Sequence, residues 1–236
     1  KNILKIFNEF KKTLNINEKY AVAISGGPDS IALAYLSKCF SIIHKVKFYY
    51  FIVDHRLRND SSIEAKKVQS ILRKFKINCK ILIWKGKKPT TSIQSTARKK
   101  RYSLLINECN KNKIKNLLIG HHIDDLYENF LLRLLRGSGL KGLTSMDKFS
   151  REEKNNIKIL RPLINVKKIE LQEIAKIVFN FYVEDPSNQN ENFKRIRIRK
   201  LIKTLQSEGF DEKKLKLTIN NLKLTNNAIN YYVEDN

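Results

Sequence analysis

Tyr20-Ala21-Val22-Ala23-Ile24-Ser25-Gly26-Gly27-Pro28-Asp29-Ser30-Ile31 joins an apolar, strand-like run to a helix-like stretch that continues to about Phe40, through a turn of two glycines. Strand, glycine turn and helix in that order leave unpaired backbone N–H groups and the positive end of a helix dipole converging on one point, where an anion is stabilised. Gly26 and Gly27 allow positive φ and close approach of a ligand, and Pro28 suits the first helical position. The Ser25 and Ser30 hydroxyls can add hydrogen bonds, so Ser25 to Ser30 reads as a phosphate cradle. Asp29 is the odd member. A carboxylate beside bound phosphate repels it unless a divalent cation lies between, so Asp29 is expected to face Mg²⁺.

The residues around this turn alternate between strand and helix patterns. Residues 1–17 place Ile3, Leu4, Ile6, Phe7, Phe10 and Leu14 at helical intervals, and a second apolar run from Val46 to Val53 ends at Asp54-His55-Arg56-Leu57-Arg58. Asp60-Ser61-Ser62 is expected to cap a helix reaching about Phe75, followed by a strand from Asn78 to Trp84 and a helix from about Ser92 to Cys109. Asn116 to Gly120 then reads as a further strand leading into His121-His122. Such alternation gives a parallel sheet, and ligands of open parallel sheets sit at the carboxyl ends of the strands. Ser25, Asp54-His55 and His121-His122 are therefore expected on one rim.

His121-His122-Ile123-Asp124-Asp125-Leu126-Tyr127-Glu128-Asn129 is the second informative stretch. With a helix starting near Asp124, Asp125 and Glu128 lie three apart on one face, and Leu126, Phe130 and Leu134 share another directed to the core. Two carboxylates at a helix start can hold an ammonium group, although first-turn acids also serve simply as caps. The two histidines lack a convincing third metal ligand. Arg136-Gly137-Ser138-Gly139 ends the helix with a glycine able to turn left-handed and presents a cation beside flexible backbone.

Composition narrows the partners. In 236 residues, 47 Lys+Arg against 23 Asp+Glu give a net charge of +24, a surplus suited to polyanions, although Lys, Asn and Ile are all abundant, as an AT-rich genome would make them. Cys39, Cys79 and Cys109 are scattered and odd in number, which argues against a disulfide framework or a cysteine metal site and for a reducing compartment. No apolar run is long enough to span a bilayer, so no membrane is expected and the cytoplasm is the expected location. The chain begins at Lys1 without an initiator Met, so leading residues are expected to be missing.

The glycine turn lacks the spacing and lysine of a Walker A loop and resembles the SGGxDS signature of the PP-loop, or N-type, ATP pyrophosphatases. The resemblance narrows with SGGPDS, VDHRLR (53–58), TARKKRY (96–102), HHIDDLYENFLLRLLRGSGLKGL (121–143), Arg161-Pro162-Leu163 and Glu184-Asp185-Pro186-Ser187-Asn188. Their order and approximate spacing are similar to those of bacterial tRNA(Ile)-lysidine synthetases, from about residue 18 to 202, and Arg195-Ile196-Arg197-Ile198-Arg199 resembles the family's arginine-rich element. This sequence departs from the family pattern at Leu126, commonly Gln, at Asn129, commonly Thr, and at Ile196, where an Asn usually follows the first arginine.

The resemblance implies an α/β, Rossmann-like fold of the adenine nucleotide alpha hydrolase-like type: a parallel sheet with helices on both faces, followed by a small helical C-terminal segment. It implies a PP-loop domain over residues 1–188, with 189–236 a basic helical segment linking to, or beginning, a C-terminal region not present. It also implies a ligase. The C2 oxygen of the wobble cytidine in a CAU-anticodon tRNA(Ile) attacks the α-phosphorus of ATP, and free L-lysine then displaces AMP. Ser25, Gly26, Gly27, Pro28, Asp29 and Ser30 would bind ATP, with Mg²⁺ on Asp29; Asp125 and Glu128 would bind lysine, one of them accepting its proton. Arg136 would join Asp29, Asp125 and Glu128 as a catalytic residue. His55, Arg58, Arg98, Arg101, Arg195, Arg197 and Arg199 are expected to contact tRNA or ATP, and a homodimer is the expected assembly. A small-molecule PP-loop ligase, a thiolating tRNA enzyme and a non-catalytic RNA-binding protein are the alternatives; the first lacks a glutaminase domain here and the second its cysteine pairs.

Overall fold

The computed structural model describes residues 2–58, 60–86, 93–152, 156–184 and 194–234. The Asp185 to Asn188 element and residues 189–193, the beginning of the expected basic helical segment, fall outside the described residues. The chain divides into two compact units, residues 1–122 with 148–184, and residues 123–147 with 185–236.

The first unit is built on a six-stranded sheet, ordered β3-β2-β1-β4-β6-β5. β1 (Tyr20–Ile24), β2 (Phe48–Asp54), β3 (Cys79–Ile83), β4 (Asn116–Leu118) and β6 (Ile157–Leu160) run parallel, and β5 (Phe149–Glu152) closes the edge antiparallel to β6. The antiparallel edge is not foreshadowed by the strand and helix alternation, because Phe149-Ser150-Arg151-Glu152 carries a single apolar residue and no strand period. β4 stops at Leu118, two residues short of the expected end at Gly120.

Alternate residues of each strand feed opposite faces. Tyr20, Val22 and Ile24 of β1, with Tyr50, Ile52, Leu118 and Leu160, meet α1 (Asn2–Lys11), α2 (Pro28–His44), α3 (Ser61–Lys74) and α7 (Lys168–Phe179). Ala21 and Ala23 point the other way with Phe51, Leu117 and Ile157, against Leu105, Ile106 and Cys109 of α4 (Ile93–Lys111). α1 is shorter than the 1–17 periodicity predicts. Beyond Lys11 the chain turns, and the Tyr20 hydroxyl fixes that turn by accepting from Asn15 N at 2.6 Å and donating to Asn15 O at 2.9 Å.

The second unit is helical: α5 (Ile123–Leu134), α6 (Leu140–Leu143), α8 (Lys194–Ser207) and α9 (Glu212–Glu234). The Tyr127 hydroxyl of α5 donates to Glu212 O at 3.0 Å, and Lys223 of α9 pairs with Asp147 at 2.8 Å. Leu126 and Phe130 are buried as their spacing predicts, but Leu134 is 50% exposed, because it is the last residue of α5 and the chain turns away there. No helix among the described residues is long and apolar enough to cross a membrane.

Asp60-Ser61-Ser62 does more than start a helix. Asp60 makes no side-chain cap, while the Ser61 and Ser62 hydroxyls donate to the buried Asp54 carboxylate at 2.8 and 2.5 Å and Arg56 N donates to it at 3.0 Å. Burial alone would raise the Asp54 pKa, but these hydrogen bonds and the Arg56 charge outweigh it and hold the carboxyl below its ordinary value. The Lys80 ammonium, 2.6 Å away, is the main cause of a similarly lowered Glu108. A folded-state pKa below the unfolded one contributes stability that is complete above about pH 4 and lost as pH falls through the lowered folded value. Asp54→Asn should therefore lower unfolding stability at pH 7 by about 1–3 kcal/mol, with the gap to wild type narrowing in urea titrations as the pH falls through the lowered folded value.

Candidate functional site

Each residue of the glycine turn has a distinct mechanical task. Gly26 adopts φ 89°, and a Cβ there would stand 2.9 Å from Val68 Cγ2 and 3.1 Å from Val183 Cγ2. Val183 N donates to Gly26 O at 2.9 Å, so the chain following α7 is pinned against the turn. Gly27 caps α2 with extended backbone and Pro28 opens it, as the sequence indicates. The N–H groups in that first turn have no acceptor within the helix and supply an anion cradle.

Ser30 works inward. Its buried hydroxyl accepts from Ser25 N at 3.1 Å and Ser25 Oγ at 3.2 Å, and donates to Gly27 O at 2.9 Å. The turn is thereby laced by a single side chain, while Ser25 itself is exposed. Asp29 lies in the first turn of α2 with its Oδ2 3.6 Å from His122 Nε2, an ion pair only when that buried imidazole is protonated. Gly120 allows this approach, since a Cβ there would come within 3.1 Å of the Asp29 carbonyl.

Three strand ends of the first unit thus meet on one rim: Ser25 after β1, Asp54-His55 on β2 and His121-His122 after β4. A fourth participant, Arg161 immediately after β6, carries no assigned role in the sequence. It is 7% exposed and donates from Nε to His121 Nδ1 at 3.1 Å and from Nη1 to Ser150 Oγ at 2.9 Å, so it orients the first histidine through its unprotonated Nδ1. The signal available was position: Arg161 follows an apolar run as His121 does.

The remaining candidates take these places. His55 Nδ1 accepts from Leu57 N at 3.3 Å, and Arg58 pairs with Glu64 at 2.8 Å. Arg98 of α4 lies over the Tyr102 ring at 5.0 Å, and the two residues line a cavity of about 600 Å³ that Arg161 also borders; Arg101 is half-buried on the same helix. In the second unit Asp125 is half-buried in the first turn of α5, whereas Glu128 is 3% exposed and meets Arg199 of α8, Oε1 to Nε 2.5 Å and Oε2 to Nη2 3.4 Å. Arg195 and Arg197 are exposed on α8, and Arg136 is exposed in the turn after α5, beside Gly137 at φ 68°. Among the described residues no cluster of three or more His, Cys, Asp or Glu is disposed to hold a metal.

Two outcomes follow from this geometry. Gly26→Ala should lower the thermal midpoint, corresponding to roughly 1–3 kcal/mol, because positive φ and the Val68 contact act together. Arg199→Met leaves the Glu128 carboxylate buried without its cation and should destabilise by on the order of 2–4 kcal/mol, whereas Arg195→Met, at an exposed position of the same helix, should change stability by under ~0.5 kcal/mol; chemical denaturation distinguishes the two.

The sequence profile of the PP-loop domain matches residues 1–205. The chain is 41% identical over 189 residues to a tRNA(Ile)-lysidine synthase of Orientia tsutsugamushi (strain Boryong), covering 80% of this chain and 42% of that protein. It is 37% identical over 218 residues to a tRNA(Ile)-lysidine synthase of Wolbachia pipientis wMel, covering 92% and 50%. The chain therefore spans about half the length of these curated relatives. Among solved structures it is similar to the U34-tRNA thiolase NcsA of Methanococcus maripaludis, with TM-score 0.78 and 18% identity over 95% of this chain and 78% of that one, a likeness of fold alone. Matched from its first residue to beyond α8's midpoint, with the glycine turn placed where a parallel strand hands over to a helix, the chain belongs to the PP-loop domain family.

Proposed function

We propose that this chain carries the ATP-dependent chemistry of a tRNA(Ile)-lysidine synthase. The observation that carries the reading is its similarity, at 41% and 37% identity over most of its length, to two bacterial enzymes of that name. Residues 1–188 are taken as the ATP pyrophosphatase domain and 189–236 as a basic helical segment that links to, or begins, a C-terminal region, its arginines contacting tRNA or ATP. The substrates are ATP, free L-lysine and the tRNA(Ile) bearing a CAU anticodon.

In the first step the C2 oxygen of the wobble cytidine bonds to the α-phosphorus of ATP and pyrophosphate leaves. The backbone N–H groups from Gly26 to Ser30 hold the departing phosphates, and the Ser30 hydroxyl keeps that backbone in shape before substrate arrives. Asp29 suits Mg²⁺, an ion usually bound by one or two carboxylates together with substrate phosphates, and the ion would neutralise charge developing on the phosphates. Arg136 is assigned further positive charge for the same transition state.

In the second step the lysine ε-amine bonds to C2 and AMP departs with the original oxygen. With a solution pKa of about 10.4, the amine must lose a proton first. Asp125 and Glu128 are assigned to hold the ammonium group. Asp125 is favoured as the group that takes the proton, since its carboxylate is the less buried of the two. Sulfur transfer is disfavoured by the cysteines. Burial pushes Cys79 and Cys109 up to about 12, away from the thiolate that ligation or attack needs, and Cys109 packs on the opposite sheet face from Cys39 and Cys79.

Incubation with ATP, Mg²⁺, labelled lysine and the CAU transcript should place label in the RNA. Asp125→Asn should reduce that transfer on the order of 100-fold while leaving ATP binding within a few-fold, and Asp29→Asn should suppress transcript-dependent pyrophosphate release. Normal transfer by both variants would remove these assignments, and no label with wild-type protein would remove the reading itself.

A further inference from the structure

The opposite edge of the sheet has a chemistry of its own. Register places Tyr20 beside both Phe48 and Asn116, and Asn116 beside Lys158. The residues entering β2, β1 and β4 are Lys47, Lys19 and Lys115, and Lys158 is the second residue of β6. Adjacent strands lie about 4.8 Å apart, so Lys47, Lys19 and Lys115, level in register, form a row across roughly 10 Å at the amino-terminal rim, with Lys158 one residue further along the next strand. All four are exposed, and none forms an ion pair among the described residues. Between β1, β4 and β6 the row borders a cleft of about 350 Å³ lined by Glu18, Lys19, Lys113, Lys115, Asn116, Asn156 and Lys158. Its one carboxylate, Glu18, accepts from the Asn116 side-chain amide and stays charged, but the four lysines of the lining outnumber it and leave the cleft positive.

A local role accounts for some neighbouring lysines and in part for two of these, since Lys47 lies over the Tyr49 ring at 5.1 Å and Lys158 over the Phe149 ring at 4.7 Å. Lys45, Lys76 and Lys113 adopt positive φ just beyond α2, α3 and α4, where a cation meets the negative end of a helix dipole. Lys19, Lys47, Lys115 and Lys158 end no helix, and like charges on neighbouring strands repel. A row held against repulsion suits a ligand with regularly repeated negative charge. Peripheral attachment to a bilayer combines cations with inserted apolar side chains, and the cleft lining contains none.

We propose that this amino-terminal edge, centred on Lys19, Lys115 and Lys158, is a contact surface for the phosphodiester backbone of RNA. It lies at the far end of β1 from the glycine turn, six residues or roughly 20 Å away, and so is separate from the ATP cradle. The surface reads charge and not sequence. The inference rests on the proposed function only in taking tRNA as its probe.

The test is fluorescence anisotropy of a labelled CAU-anticodon transcript with the full chain, without ATP or lysine, at several salt concentrations from about 50 to 200 mM. Lys19→Gln/Lys115→Gln/Lys158→Gln should weaken binding about tenfold or more at the lowest salt and reduce the slope of log affinity against log salt by about 2–3. Lys115→Gln alone should reduce it by about 0.7–0.9. The triple variant should bind ATP as wild type does and melt at the same or a higher temperature, since repulsion is relieved. An equal loss of slope in Lys66→Gln/Lys74→Gln/Lys176→Gln, which removes the same charge from exposed helix positions, would overturn the proposal. So would an unchanged slope, a lower melting temperature in both the triple and single variants, or loss of binding to phosphatidylserine vesicles with RNA binding intact. Failure of lysine transfer leaves this readout unaffected, so the two readings fail separately.

Discussion

At Gly26 there is room for a hydrogen and nothing larger. Val68 from α3 and Val183 from the chain after α7 close on its α-carbon, and the Val183 amide bonds its carbonyl. That single crowded point joins the first glycine turn to two segments remote in sequence, so the phosphate cradle depends on the packing of the whole helical face. Ser30 completes the arrangement from inside. The cradle is therefore rigid before any ligand arrives, which is what oriented backbone N–H groups need if they are to stabilise charge without first reorganising.

Much of this was legible in the chain because it is local. Strand, glycines, proline and helix follow one another within twelve residues, and the carboxyl-end rim follows from strand and helix alternation alone. Asp125 and Glu128 fall on α5 as their spacing requires. The edge strand β5 was not legible, having neither length nor alternation, and α7 carries Leu171, Ile174, Ala175 and Phe179 at helical spacing but no chemical motif to draw notice. Arg199 and Glu128 are 71 residues apart, and no local rule pairs them. Arg161 belongs with them: only strand order brings the residue after β6 to the histidines after β4.

The two α5 carboxylates also part company in a way that spacing cannot express. They share a helix face by periodicity, yet one is half-buried in the first turn and the other is buried against a guanidinium. Identical chemistry in different surroundings is the usual means by which a protein divides labour between acids. The Ser61 and Ser62 hydroxyls show a related economy: they begin α3 and also satisfy the Asp54 carboxylate, tying the end of β2 to the next helix.

β1 turns its bulky residues toward α2 and presents only the methyl groups of Ala21 and Ala23 to α4. Those methyls, together with Phe51 of β2 and Leu117 of β4, set how low α4 rides over the sheet. The height of Arg98, Arg101 and Tyr102 is thus determined from beneath, by side chains that never touch a substrate. Enlarging either alanine would jack the helix upward and displace its whole basic array in concert, so that activity and packing would fail together from a change far from any charged group.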